Sequence, residues 1–268
     1  MKSPVKLVVA GAGLVGKRHI EAIRKSEDAV LISIVDPDPA AKNIANQQNV
    51  PWYSSLQDMF AREQVDGIIL ATPNQVHVEN GLQCLEAGCP MLIEKPLATS
   101  ADEAEQFVSI ARNKNIPILV GHHRRHNPLI QRAHEEIKQG RIGTLRAAHA
   151  NCWLYKPDDY FEEAPWRKAK GAGPVSVNLI HDIDLLRYLC GKIVSVQSQA
   201  TSSIRGYDNE DVAAAIFRFE CGAIGTITVS DSIVSPWSYE LTARENPVDP
   251  PTLESCYLLG GTQGSLSL

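Results

Sequence analysis

Residues 8–19 read VVAGAGLVGKRH. Gly11, Gly13 and Gly16 form GxGxxG, a spacing that fits either a phosphate cradle or a plain turn between a strand and a helix. The flanks decide between the two. VKLVVAG (5–11) is a short apolar run with the look of a strand. LVGKRHIEAIRKSE (14–27) carries Leu14, Val15, Ile20 and Ile23 at helical spacing with charges between them. In that setting Gly11 permits a tight turn, Gly13 lets a pyrophosphate approach the backbone, and Gly16 allows close helix packing. The helix N-terminus favours the negative charge. VLISIVD, the next strand, ends at Asp36, 20 residues after Gly16. A carboxylate there binds adenosine ribose hydroxyls and repels a 2′-phosphate. No Lys or Arg follows Asp36 before Lys42. The expected cofactor is therefore NAD, with NADP disfavoured.

The alternation continues outward. PAAKNIANQQ is helical and opened by proline. VPWYSS is a short strand with Ser54 or Ser55 as a cap for LQDMFARE. DGIILAT is a strand, QVHVENGLQCLEAG a helix stopping at Gly88, and PMLIEK a strand. TSADEAEQFVSIARNKN is a helix in which Ser100 and Glu103 form a capping box, and IPILVG is a sixth strand. Unbroken apolar strands alternating with helices predict an α/β doubly wound parallel sheet covered on both faces. After Gly121 the texture changes. A helix is expected over 128–139 and another over 174–189. Between and after them lie longer alternating segments: TLRAAHANCWLY, IVSVQSQATSS, DVAAAIFRFE, AIGTITVSDS and SYELTAREN. ECGA reads as a hairpin turn, and 236–255 as a proline-rich long loop. The expectation is a Rossmann domain over 1–121 and an α+β domain with a mostly antiparallel open sheet over 122–268.

With 268 residues, 44% hydrophobic and 21% charged, the chain has the composition of an ordinary globular protein. Its net charge of −5 argues against nucleic acid as a main partner. No apolar run approaches the roughly 18 to 20 residues that span a bilayer, and no cleavable leader is evident. The six cysteines contain no CxxC pair and read as reduced structural thiols of a cytoplasmic protein.

Three further stretches, ATPNQVH (71–77), EKP (94–96) and GHHRRHNP (121–128), join GAGLVGKRH in resembling the Gfo/Idh/MocA oxidoreductases. WR at 166–167, LIHDIDLLRYL (179–189) and EDVAAAIFRFECGAIGTI (210–227) resemble that family's second domain, so the likeness covers nearly the whole chain. It implies a dehydrogenase acting on a secondary alcohol of a sugar, cyclitol or related diol, and a homodimer or homotetramer built through the open sheet. Family members are longer, which makes this chain look C-terminally truncated.

The resemblance implies Lys95 and His181 as catalytic residues. Lys95 would contact the substrate oxygen, and His181, with an ordinary imidazole value near 6.5, suits proton transfer. Gly11, Gly13, Leu14, Val15, Gly16, Asp36, Thr72, Pro73, Asn74, His77, Glu94 and Lys95 are candidate cofactor contacts. His77 also reads as a packing or capping residue of the following helix. The family carries an Asp four residues before its histidine, where this chain has Val177. Asn178, three residues before, is the candidate partner for the histidine or a substrate hydroxyl. Arg124, Arg125, Trp166, Arg167 and Asn178 are candidate substrate contacts, with Trp153, Tyr155 and Tyr160 near the expected pocket wall. Strand alternation through HHRRH would send His122 and Arg124 to one side and His123 and Arg125 to the other. Salt bridging between domains is the equal alternative for the two arginines, and a metal site from the histidines is not expected. Two other functions compete: a glycoside-cleaving enzyme using tightly bound NAD as a transient oxidant, and a cofactor-binding sensor.

Overall fold

The structure, a computed structural model, describes residues 3–245 and 250–268. It divides into two compact units, one ending at His122 and one beginning at His123.

The first unit runs β1 (Val5–Ala10), α1 (Leu14–Lys25), β2 (Ala29–Val35), α2 (Ala41–Gln48), β3 (Trp52–Tyr53), α3 (Leu56–Phe60), β4 (Gly67–Leu70), α4 (His77–Glu86), β5 (Met91–Ile93), α5 (Ala101–Lys114) and β6 (Ile118–Val120). Its six strands are parallel in the order β3-β2-β1-β4-β5-β6. The period of two along each strand explains why these runs are largely apolar. Val8, Ala10, Ile68, Leu70, Met91 and Ile93 pack on one face against Leu56, Met59, Leu85 and Phe107. Val9, Ile34 and Ile69 pack on the other against Ile20 and Ile23 of α1 and Ala41 and Ala45 of α2. Both faces are buried, so both alternate positions are mostly apolar, with Ser33 of β2 a buried polar exception. The order reverses at β1 and β4, where ligands of doubly wound sheets bind beyond the strands' carboxyl ends.

The second unit runs α6 (Pro128–Lys138), β7 (Leu145–Trp153), α7 (Asp158–Glu162), α8 (Ile180–Cys190), β8 (Ile193–Ser202), β9 (Glu210–Phe219), β10 (Ile224–Ser230), α9 (Tyr239–Ala243), β11 (Tyr257–Gly261) and β12 (Ser265–Ser267). Its sheet has the order β12-β11-β7-β10-β9-β8; β7 and β10 are parallel and the other pairs antiparallel. Ala150, Cys152, Phe217, Ile227, Val229 and Tyr257 line its inner face, packed with Leu185, Leu186 and Leu189 of α8 and Ile130 of α6. On the outer face Ile216, Ile224 and Leu258 are exposed.

Capping follows the sequence closely. The Oγ of Ser55 accepts from the Asp58 N–H at 3.1 Å and that of Ser100 from the Glu103 N–H at 3.2 Å. Glu103 returns a carboxylate oxygen to the Thr99 N–H and hydroxyl, one residue before the position a capping box uses.

Three expectations need correction. Residues 123–126 form a 3-10 turn, so strand alternation does not separate the HHRRH side chains. The 174–189 helix is two elements: a π-helical turn, Val175–Leu179, leads into α8. A π turn bonds i to i+5, so the i, i+4 logic that placed residue 177 over His181 loses its footing there. SYELTAREN is a helix over Tyr239–Ala243 rather than a strand. Tyr239 and Leu241 are both buried, and five residues are too few to reveal a period of 3.6. Residues 246–249 of the proline-rich stretch lie outside the described residues.

Candidate active site

In the first unit the glycine loop has the form the sequence implies. Gly11 sits at φ +92°, and a Cβ there would stand 2.4 Å from the Ala71 carbonyl oxygen. A Cβ on Gly16 would stand 1.8 Å from the Gly11 carbonyl oxygen, so the start of α1 lies directly on the turn. Nothing lies within 4 Å of a Cβ on Gly13, the cap residue of α1. Leu14 and Val15 are exposed beside it. Open space over an uncapped helix N-terminus is where a pyrophosphate fits. The Asp36 carboxylate is anchored, accepting from the Ala12 N–H at 2.7 Å and from the Asp38 N–H at 2.9 Å. A negative charge is thereby fixed at the end of β2, against the glycine loop. Thr72, Pro73 and Asn74 follow β4, the last opening a 3-10 turn into α4. These residues fit an NAD dinucleotide.

The turn at Glu94, Lys95 and Pro96 leaves β5 beside this loop and is held from both sides. His19 of α1 meets Glu94 through Nε2 and Oε1 at 2.8 Å. Burial pushes the Glu94 carboxyl up, but the His19 contact, the Lys95 N–H and the Lys95 charge outweigh it, leaving it below its ordinary value. Gly121 leaves the room: a Cβ there would stand 2.9 Å from the Glu94 carboxylate. On the other side His77 lies at the start of α4 with Nδ1 2.8 Å from the Pro96 carbonyl oxygen and Nε2 2.8 Å from that of Thr72. It is fully buried. His77 therefore ties two loops together. His19 was missed, although the GxGxxGxxH spacing places it three residues after Gly16, on nearly the same face of α1.

In the second unit three consecutive turn residues meet α8. His123 stacks edge-to-face on His181, with ring centroids 5.4 Å apart and planes at 69°. Arg124 pairs with Asp182 at 3.2 Å and with Glu240. Arg125 donates to both oxygens of Asp184, one bond being 2.7 Å. Arg124 is 4% exposed and paired with two carboxylates of its own unit. Arg125 is also bound within this unit, so the salt bridges join the turn to α8. Burial works against the Arg124 charge, but Asp182 and Glu240 hold its pKa well above the usual arginine value. The Tyr257 hydroxyl donates to Asp182, and burial raises the Asp182 carboxyl despite Arg124. Glu240 and Tyr257, absent from the sequence-based candidates, complete this network. They lie in α9 and β11, and no spacing along the chain links them to residue 182.

Asn178 is buried in the π turn that precedes α8. Trp166 is 61% exposed, and the Arg167 guanidinium lies 3.9 Å from the Tyr160 ring centroid while donating to the Tyr160 carbonyl. The six cysteines are free thiols. Among the described residues no helix is long and apolar enough to cross a membrane. No group of three or more His, Cys, Asp or Glu among them is placed to hold a metal ion.

Comparison with known proteins closes the matter of kinship. Residues 5–122 match the "oxidoreductase family, NAD-binding Rossmann fold" profile and residues 130–267 the "GFO/IDH/MocA C-terminal domain". The chain belongs to the Gfo/Idh/MocA oxidoreductase family. Among its Gfo/Idh/MocA relatives, an inositol 2-dehydrogenase of Rhodococcus erythropolis (strain PR4) is 30% identical over 81% of this chain and 63% of its own length. A 2,7-anhydro-N-acetylneuraminate hydratase of Escherichia coli (strain K12) is 24% identical over 97% of this chain and 66% of its own. The WlbA dehydrogenase of Bordetella pertussis, solved with NADH and UDP-GlcNAcA, superposes with a TM-score of 0.85 at 26% identity. That match covers 99% of this chain and 78% of WlbA. The chain spans between 50% and 72% of the length of the curated relatives it matches.

Proposed function

We propose that this protein oxidises a secondary alcohol of a sugar, cyclitol or related cyclic diol with NAD. The observation that carries the proposal is the turn at Lys95. It is clamped by His19 through Glu94 and by His77 through Pro96, next to the open face of the glycine loop. Bound NAD would supply the hydride acceptor. Gly13 and the first turn of α1 would face its pyrophosphate. Asp36 would hold the adenosine ribose and disfavour a 2′-phosphate, and Glu94 would lie near the second ribose. The Lys95 ammonium would hold the substrate oxygen as it becomes a carbonyl oxygen. His181 would take the hydroxyl proton, because a neutral imidazole accepts a proton without first giving one up. Trp166, Arg167, Arg125 and Asn178 would shape the substrate pocket. The relative with inositol 2-dehydrogenase activity and the NADH-bound WlbA structure support this chemistry. Ile216, Ile224 and Leu258, exposed on the outer face of the second sheet, support a homodimer or homotetramer.

The hydratase relative favours a second reading, in which NAD stays bound and no NADH accumulates. The Lys95→Ala variant tests the assigned chemistry. It should bind NAD as the parent does, by calorimetric titration, while losing alcohol oxidation. Loss of NAD binding with the fold intact would reassign Lys95 to the cofactor site.

A further inference from the structure

His181 is 8% exposed, so a proton accepted there has no direct way to bulk water. His123 stands against its ring, 5.4 Å between centroids, and the His123 side chain is 65% exposed. His123 also has Nε2 3.7 Å from Oε2 of Glu245. That carboxylate is fixed: its Oε1 accepts from the Asn127 amide at 2.6 Å and from the Tyr239 hydroxyl at 3.0 Å. Asn127 is itself held as the cap of α6, accepting from the Leu129 N–H at 2.8 Å. The pairs Arg124–Asp182 and Arg125–Asp184 pin the same turn to α8, which fixes the register of His123 on His181.

We infer that His123, braced by Glu245, is the outlet through which a proton taken up at His181 reaches solvent. The inference rests on the proposed role of His181 and assigns a positioning and relay role that the proposed catalytic pair lacks. The step moves one proton and no electrons. The N–H bond of protonated His181 breaks, an N–H bond forms on His123 directly or through one water, and His123 then releases the proton to water or buffer. His181 returns to its neutral, accepting form. Glu245 favours the transient imidazolium on His123 by its charge. Other charged or titratable groups on the turn and on the elements packed against it include Arg124, Arg125 and His126 on the same turn, Asp182 and Asp184 on α8, and Glu240 on α9. Arg124 pairs with Asp182 and Glu240 and Arg125 with Asp184, while Glu245 lies 3.7 Å from His123.

The test uses the whole protein with NAD added and needs no substrate. Histidine-labelled protein is followed by NMR, and exchange of the His181 ring proton with water is measured in the parent, His123→Asn and Glu245→Gln. His123 is largely exposed, so its substitution should leave the fold and melting temperature unchanged. The expected result is exchange slowed on the order of tenfold or more in His123→Asn, less in Glu245→Gln, and restored by added imidazole. A purely structural role for His123 would give no rescue by imidazole. Unchanged exchange in both variants, or slowing that imidazole does not reverse, would overturn the outlet. His181→Gln separates this from the parent reading. If that variant still oxidises alcohols, the role of His181 fails whatever route its proton takes.

Discussion

Gly16 lies so close to Gly11 that a Cβ at position 16 would stand 1.8 Å from the Gly11 carbonyl oxygen. Gly13, between them, faces open space. The two positions therefore respond differently to the same methyl group. Gly16→Ala should destabilise the protein by about 1–3 kcal/mol through overpacking and weaken NAD binding. Gly13→Ala should leave the melting temperature near that of the parent and weaken NAD binding alone. Thermal melts with and without NAD distinguish the two.

The Glu94 carboxyl is held below its ordinary value of 4.5, because the His19 contact and Lys95 outweigh burial. A lowered folded-state value contributes stability that is present above 4.5 and lost as pH falls through the lower folded value. Glu94→Gln should therefore reduce the difference in stability between pH 7 and the acid limb relative to the parent. Parallel urea titrations across that range are the check. An identical acid limb in both proteins would show that the carboxylate contributes nothing.

Arg124 is the cation of a buried cluster containing Asp182 and Glu240. Removing it leaves two carboxylates without their counter-charge. Arg124→Met should cost about 3–5 kcal/mol. Adding Asp182→Asn to that variant should recover part of the loss, because burial already favours the neutral form of Asp182. A double-mutant cycle by chemical denaturation measures the coupling.

The proposed role of Asp36 is to set the choice of cofactor through its charge at the end of β2. Asp36→Ser should weaken NAD binding and improve NADP binding, narrowing the ratio of the two dissociation constants by tenfold or more, about 1.4 kcal/mol. Titration of both dinucleotides reads it directly.

The first unit was almost wholly legible in the sequence. Its strands are apolar on both faces, its loops are set by glycine and capping residues, and the motif residues sit close together along the chain. The second unit was less so. The 123–126 turn, the helix at Tyr239–Ala243 and the π turn before α8 are short, and periodicity has nothing to act on over four or five residues. Arg124 looked like a substrate contact because a basic cluster near a sheet edge carries no mark of its partners. Those partners, Asp182 and Glu240, lie 58 and 116 residues away. His77 stood out because it belongs to a motif, but the motif does not reveal that both its ring nitrogens face backbone carbonyls.

The most direct test of the account is NADH formation, followed by absorbance, when the protein and NAD are offered a panel of cyclitols, aldoses, anhydrosugars and cyclic diols. The account predicts that NADH accumulates with at least one secondary alcohol, faster with NAD than NADPH accumulates with NADP, and that Lys95→Ala abolishes it. Tight NAD binding with no NADH from any member of the panel would contradict it and favour a cofactor that is reduced and reoxidised within one turnover.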